Sequence, residues 1–562
     1  MSDDAPTAPA PDAPAPAPRG RGTTARMALL AAGTLASRLL GMLRETLIAA
    51  TFPVAATDAF FLAWRIPNAL RALLAEGALS TALVPVFTTT LVQGRADAPA
   101  VPAKGADLAR EHHDALRDVV ARVRGASLAV LIPLSLLGSL FARPITRALA
   151  GDFNGDAAQF DRAASLLAWL FPYIFFMGSA AVGIGVLQAY GRVAALAFAP
   201  ALLNVAFLLA PFAFVPIAVR LGLDPITGLA WGALLGGALQ LLALVPSLAR
   251  LRMLPRPVVD LKHPAVRRVG VLMGPGLVGI AIYQVDVVLS NRFLAGLPHG
   301  APSYFNYAQR IADIPQGIFI LSIANAFLPD LCRSVAAGDK DDASRLLAQM
   351  IRLAAFVSVP VAVLLATYGE AIAPVIYGYG RFRELGDAGI AEVVSSLRWQ
   401  SANVALLAFV RQFTATFGAA QDTRTPVLVS AVDLVAFVLL ALALRGPMGH
   451  AGVAAAIAGS TLVQLALLAH WLPRRVPVPW GRFLPTVAKV CAASLPVGVL
   501  ARVIVATLPV RAPTAGAKLL AIAGAAALGS VYLLTAWLLR IEEVARVTGR
   551  VARRLRRRRS TA

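Results

Sequence analysis

Residues 57–77 read TDAFFLAWRIPNALRALLAEG. The stretch opens like a lipid-facing helix, yet within twenty residues it carries Asp58, Arg65, Arg71 and Glu76, with Pro67 in the middle. The 562-residue chain around it is 58% hydrophobic and 15% charged, with mean hydropathy +0.70. Ordinary soluble domains carry about 25% charged residues. Its apolar runs are long and continuous, without the roughly ten-residue alternating strands of an outer-membrane barrel. These features predict an all-α polytopic membrane protein in which the charges at 58–76 face something other than lipid.

A bilayer core of about 30 Å takes about 20 apolar residues per helix. On that scale fourteen transmembrane helices are expected: 27–51, 58–91, 118–142, 163–189, 196–219, 226–249, 266–295, 303–332, 348–377, 392–419, 424–445, 449–473, 483–508 and 516–540. An even number puts both termini on one side. The arginine-rich tail at 541–562 places that side in the cytoplasm, since Lys and Arg concentrate in cytoplasmic segments. The connections after the second and sixth helices hold Arg95, Lys104, Arg110, Arg117, Arg122 and Arg124, then Arg250, Arg252, Arg256, Lys262, Arg267 and Arg268. Two opposite connections, TFPVAAT and AGLPHGAP, hold no Lys or Arg. Residues 1–26 are rich in Pro and Ala, lack the apolar centre of a signal peptide and read as a disordered cytoplasmic extension.

The net charge of +22 does not point to nucleic acid, because the basic residues lie between apolar runs and in the tail. Cys332 and Cys491 make no disulfide framework, and His112 and His113 fall in a polar loop. Neither a Ser/His/Asp set, a phosphate-binding glycine loop nor a zinc spacing appears, so the chain reads as no enzyme.

An internal repeat organises the helices. GLAWGALLGGALQLLAL from Gly228 matches GVAAAIAGSTLVQLALL from Gly452, with Gln240 and Gln464 each twelve residues on. APALLNVAF around Pro200 resembles TPVLVSAVDLVAF around Pro426, FFLAWRIP matches FNYAQRIA with Arg65 on Arg310, and LVP at 83–85 matches FLP at 327–329. Four matches in chain order predict two parallel six-helix lobes, 27–250 and 263–474, flanking a central cavity, with two further helices over 483–540.

An Arg, Lys or Asp at a helix centre costs about 2.5–3.5 kcal/mol. The charges of the first two helices must therefore face water, one another or a ligand. Asp58 and Arg65, two turns apart, share a face, as do Arg38 and Glu45, while Arg44 points roughly a third of a turn away. Arg38, Arg44, Arg65, Arg71 and Arg310, with Arg411 beside them, outnumber Glu45, Asp58, Glu76 and Asp313. The surplus fits an anionic, phosphorylated substrate. Asp286 and Asp433 lie mid-helix without a basic neighbour and form a candidate cation site, for sodium or a proton. With no nucleotide site, the driving force falls to an ion gradient, the membrane potential or the substrate gradient.

SRLLGMLRETLIAATF (37–52), TDAFFLAWRIPNALRALLAEGALSTALVPVF (57–87), YAQRIADIPQGIF (307–319), YGYGRF (377–382) and AAQDTRTP (419–426) closely resemble the MurJ (MviN) family of lipid II flippases, within the multidrug/oligosaccharidyl-lipid/polysaccharide exporter superfamily. The resemblance covers about 27 to 540. It implies alternating-access transport of the lipid-linked peptidoglycan precursor, an undecaprenyl-pyrophosphate-linked sugar-peptide, across the bacterial inner membrane for cell wall synthesis. It implies membrane lipids and cell-wall synthesis machinery as partners and a monomeric chain without an organic cofactor. Functional positions carry over to Arg38, Arg44, Asp58, Asn68, Arg71, Glu76 and Arg310, with Arg65 and Arg411 where relatives hold a basic residue; Asp313 completes the candidate substrate-binding set. Two departures stand out. Gln309 replaces an acid before Arg310, removing a local partner, and Ala72 leaves Arg71 without a second basic neighbour. A flippase for another polyprenyl-pyrophosphate glycan, a drug/cation antiporter of the same superfamily and a non-transporting scaffold are the alternatives.

Overall fold

A computed structural model describes residues 21–71, 79–93, 106–151, 153–192, 194–316 and 321–544. Among them every extended element is a helix and no strand occurs. The first half contains α1 (Arg21–Thr51), α2 (Val54–Arg71), α3 (Leu79–Gln93), α4 (Ala106–Leu140), α5 (Ala142–Ala150), α6 (Ala157–Leu170), α7 (Tyr173–Ala189), α8 (Ala194–Ala213), α9 (Val215–Arg220) and α10 (Thr227–Arg250). The second contains α11 (Pro264–Ala295), α12 (Ala301–Pro315), α13 (Leu321–Ala336), α14 (Lys340–Tyr377), α15 (Gly380–Arg383), α16 (Gly386–Ala419) and α17 (Arg424–Trp471). Two more, α18 (Trp480–Thr507) and α19 (Ala515–Leu538), follow.

Each of the fourteen expected segments falls on one or two of these helices. By length and composition alone, eight stretches of the described residues can cross a membrane, one of them Arg424–Arg474. Gly449, at φ +56°, breaks α17 into two arms within that stretch. Left-handed backbone of this kind is cheap only for glycine, so the two expected segments on either side meet there in a tight reversal.

Packing follows the repeat. In the first half α8 lies between α1 and α10, and α7 contacts α3, α4 and α10; in the second α16 contacts α12, α14 and α17. The matched glycines occupy equivalent places. A Cβ on Gly228 would stand 2.8 Å from the Val215 backbone nitrogen, and one on Gly452 would stand 2.2 Å from the Leu444 carbonyl oxygen. Each helix thus closes on the backbone of the element before it. The halves meet through α2 with α12, α3 with α11 and α1 with α14 and α15. Helices α18 and α19 pack on α14, where Tyr368, Val497 and Tyr532 form a separate apolar cluster.

Three expected boundaries are corrected. Helix α1 starts at Arg21, inside the expected disordered extension, because its last proline is Pro18. The loop expected around His112 and His113 is the first part of α4. His112, Leu116, Val119, Val120 and Val123 are buried at helical spacing, and that apolar stripe extends the helix before the expected residue 118. The start of the basic tail is packed, with Ile541 and Val544 buried against the α18–α19 cluster.

The segment joining the halves is fastened along α4. The Val258 amide donates to the Ala121 carbonyl at 3.0 Å, Arg124 donates to the Pro255 carbonyl at 2.8 Å and Arg122 pairs with Asp260 at 3.3 Å. Gly125 makes room, since a Cβ there would stand 2.0 Å from the Val258 oxygen. Gly125→Ala therefore displaces the joining segment, at a cost of about 1–3 kcal/mol. Faster proteolysis within 253–263 is the expected result, and an unchanged rate contradicts this packing.

In the turn between α16 and α17, Asp422 accepts from the Thr425 amide at 3.0 Å, the Thr425 hydroxyl at 2.9 Å and Arg475 at 2.9 Å. The Thr425 amide first, with its hydroxyl and the arginine, holds the Asp422 carboxyl below the usual range. A lowered folded-state pKa means this stabilisation is complete above the ordinary carboxylate range and fades as pH falls through the lowered value. Acid unfolding of Asp422→Asn is therefore less pH-dependent than that of the parent; identical acid transitions contradict this.

Candidate functional site

A cavity of about 220 Å³ lies where α1 faces α8 and α12, with Arg38, Arg44, Glu45, Asn204, Arg310 and Asp313 in its wall. A second, of about 560 Å³, is lined by Arg65 and Asn68 of α2, Arg310 and Asp313 of α12, Arg411 of α16 and Asp433 of α17, among others. Arg310 and Asp313 belong to both walls. The two spaces are neighbouring parts of one polar interior between the halves.

Glu45 anchors the smaller space. It is 2% exposed, and its Oε1 accepts from Arg44 Nη2 and pairs with Arg310 Nε at 3.2 Å. Arg44 also donates to Asn204 Oδ1 at 3.1 Å and lies 5.1 Å from the Phe207 ring centre. Asn204 in turn donates to the Ser37 carbonyl at 2.9 Å. Arg38 donates to the Asp313 carbonyl at 3.4 Å. One carboxylate thus orients guanidinium groups from α1 and α12. Arg310 has a local partner after all, Asp313 at 3.6 Å, while Gln309 donates to that same carboxylate at 3.1 Å. The partner expected to be lost with Gln309 is supplied from one turn further along and from α1.

In the larger space Arg65 Nε donates to Asn291 Oδ1 at 3.3 Å. Gln464 donates to Ser430 at 3.4 Å. Arg65 and Arg310, matched by the repeat, line this one wall from the two halves. The walls together hold five arginines, Arg38, Arg44, Arg65, Arg310 and Arg411, against the carboxyls of Glu45, Asp313 and Asp433. That excess is a place for an anion, with the planar fork of arginine suited to phosphate oxygens.

Other expected positions lie elsewhere. Asp58 is 2% exposed and in neither wall. Its Oδ2 accepts from the Gly300 amide at 2.6 Å and its Oδ1 from the Ser303 amide at 2.8 Å. It caps the N-terminus of α12 from the other half, where the free amides and helix dipole favour a carboxylate. The Thr57 and Ser303 hydroxyls meet beside it at 2.7 Å. Arg71 is in neither wall but donates to Asn68, which is, at 3.1 Å. Glu76 lies outside the described residues, as does the side chain of Asp286. Among the described residues no group of three His, Cys, Asp or Glu side chains is arranged to hold a metal.

Arg44, about a third of a turn from Glu45 on α1, reaches the same space because a long side chain carries its guanidinium far from its Cα direction. Asn204, Tyr377 and Asn403 are wall residues that charge counting passes over; a polar residue inside an apolar run, as in PALLNVAF, was the available signal. The fold also assembles a Ser/His/Glu arrangement absent from the sequence reading. Ser396 Oγ lies 2.7 Å from His450 Nδ1, and His450 Nε2 lies 2.9 Å from Glu392 Oε2. Ser396 is fully buried, so the set ties α16 to the α17 reversal and offers no nucleophile to a substrate.

Removing Glu45 leaves the cavity arginines short of their shared acceptor. Glu45→Ala is expected to lower stability by about 3 kcal/mol, read by thermal unfolding in detergent micelles. A loss under about 0.5 kcal/mol contradicts its anchoring role.

A family model described as lipid II flippase MurJ matches residues 48–522. The chain is 32% identical over 460 residues to "Lipid II flippase MurJ" of Burkholderia cenocepacia, covering 80% of this chain and 84% of that protein. It is 31% identical over 453 residues to "Probable lipid II flippase MurJ" of Bdellovibrio bacteriovorus, covering 80% and 82%. Among solved structures it resembles a lipid II flippase MurJ in an inward closed conformation, with TM-score 0.71 at 19% identity over 91% of this chain and 99% of that one. An inward-facing multidrug resistance MATE transporter gives 0.61 at 14%, over 78% and 94%. The family match along most of the chain, together with the all-helical fold around an arginine-lined interior, establishes that the chain belongs to the MurJ lipid II flippase family.

Proposed function

We propose that this protein carries lipid II, the undecaprenyl-pyrophosphate-linked sugar-peptide, from the cytoplasmic to the periplasmic leaflet of the bacterial inner membrane. The observation that carries the reading is the excess of arginine over carboxylate in the interior between the halves. A drug or cation antiporter would need the opposite balance. Arg38, Arg44 and Arg310 contact the pyrophosphate in the smaller space, and Arg65 and Arg411 face the sugar-peptide side in the larger one. The polyprenyl tail stays in lipid against α18 and α19.

The two halves rock about the bound headgroup, alternately opening the interior to either leaflet. Ligand and empty protein must favour different states for the cycle to run. The contact between Asp58 and the start of α12 joins the halves at one end and has to break when that end opens. A sodium ion or proton at Asp286 and Asp433, or the membrane potential, resets the empty protein. Asp433 supports this role through position, facing the larger space beside Ser460 and Gln464. Both termini lie in the cytoplasm, the basic tail rests on anionic lipid, and the chain works as a monomer beside the wall-synthesis machinery.

The test is depletion of the protein in its host, followed by measurement of lipid II headgroup accessible at the periplasmic face. Accessibility falls on depletion and is restored by the parent chain. Arg310→Ala, at equal membrane levels, restores less than about a tenth, as expected when a charge-assisted contact to phosphate is lost. Unchanged accessibility after depletion, in a host without another flippase, moves the substrate to another polyprenyl-linked glycan. Full rescue by Arg310→Ala overturns the arginine mechanism.

A further inference from the structure

A second concentration of arginine lies away from the interior, where α14, α16 and α18 come together. Glu370 of α14 is 17% exposed in its side chain and faces three guanidinium groups. Its Oε1 lies 2.7 Å from Arg398 of α16 and 3.3 Å from Arg502 of α18. Its Oε2 contacts Arg511, in the loop after α18. Three cations share one anion, leaving the group with two positive charges in excess. The arginines are also about half exposed, at 44%, 52% and 50%. Each guanidinium has five N–H donors, most of them beyond what one carboxylate can accept.

The surroundings say what the spare donors face. On α18, Val499 and Leu495 precede Arg502 by three and seven residues and share its helix face, at 63% and 68% exposure. Trp399, next to Arg398, is 42% exposed, in keeping with the enrichment of Trp at the membrane–water boundary. Gly498 brings α18 against α14, where a Cβ would stand 3.2 Å from Val363. Arg502 lies in the last two turns of α18 and Glu370 seven residues before the end of α14. The cluster therefore sits at one end of the spans, with an exposed apolar stripe running from it toward the middle of the bilayer.

We propose that Arg398, Arg502 and Arg511, gathered by Glu370, form a binding site for the phosphate of an anionic glycerophospholipid, whose acyl chain lies along Val499 and Leu495. The positive excess selects an anionic over a zwitterionic headgroup. The site is separate from the substrate interior and does not depend on what that interior carries. It gives the appended helix α18 a lipid-mediated attachment to α14 and α16, in addition to direct packing.

Native mass spectrometry on the purified full chain, taken from nanodiscs of equal phosphatidylglycerol and phosphatidylcholine, reads retained lipid directly. The parent protein is expected to retain phosphatidylglycerol in preference, and Arg502→Gln/Arg511→Gln to weaken that retention about tenfold to thirtyfold. Should the double variant fail to fold, Arg511→Gln alone, altered in a loop, is expected to weaken it several-fold. Arg310→Ala keeps the preference, because the interior is not involved. Equal retention of both lipids by the parent protein overturns the site. So does undiminished preference in the Arg502/Arg511 variants. Loss of the preference in Arg310→Ala places the lipid in the interior and also overturns it. If added polyprenyl pyrophosphate displaces phosphatidylglycerol from the parent protein but not from Arg310→Ala, the lipid was in the substrate cavity, with the same consequence.

Discussion

The Glu45 carboxylate is the interaction on which the interior depends. Guanidinium groups within a membrane-spanning bundle are costly unless each has an acceptor, and a carboxylate there is costly without donors. Glu45 meets both demands at once, accepting from Arg44 on its own helix and Arg310 on α12. Because α1 and α12 belong to different halves, the same contact that satisfies the charges also sets the spacing of the halves. Asp313 and Asn204 complete the arrangement by holding Arg310 and Arg44 from the other side. The result is a set of arginines fixed in direction before any ligand arrives, which lowers the ordering cost of binding one.

The repeat explains why such a site forms at the junction. Arg65 and Arg310 stand at matched positions, and the two halves bring them into one wall. Gly228 and Gly452 each let a helix close on the backbone before it, so corresponding helices share the same tight approach. The halves have since diverged in detail. Gln240 is buried within its half, while Gln464 faces the larger space and bonds Ser430. A duplicated bundle has become asymmetric at the places that touch the interior.

Much of this was legible in the sequence because membrane insertion makes charge conspicuous. Arg38, Arg44, Arg65, Arg310, Asp313, Arg411 and Asp433 stood out for their cost in lipid, and each is in a cavity wall. What escaped was whatever depends on a second helix. Asp58 looks like any other cavity charge until α12 is seen to present the Gly300 and Ser303 amides to it. Uncharged wall residues such as Asn204 and Tyr377 carry too little hydropathy signal to separate from their runs. The length of α4 was hidden because its first turns are polar on the outside, and only the burial of His112 and Leu116 shows why they are helical.

On the proposed function, the oriented arginines are the element that recognises two linked phosphates. The most direct measurement is the affinity of the purified protein for one polyprenyl-linked sugar carried on a pyrophosphate and on a monophosphate, in the parent chain and in Arg38→Gln/Arg310→Gln. Tighter binding of the pyrophosphate form by about tenfold or more is expected in the parent chain, with near-equal binding of both forms in the variant. Equal affinities in the parent chain, or a preference that survives loss of both arginines, would contradict it.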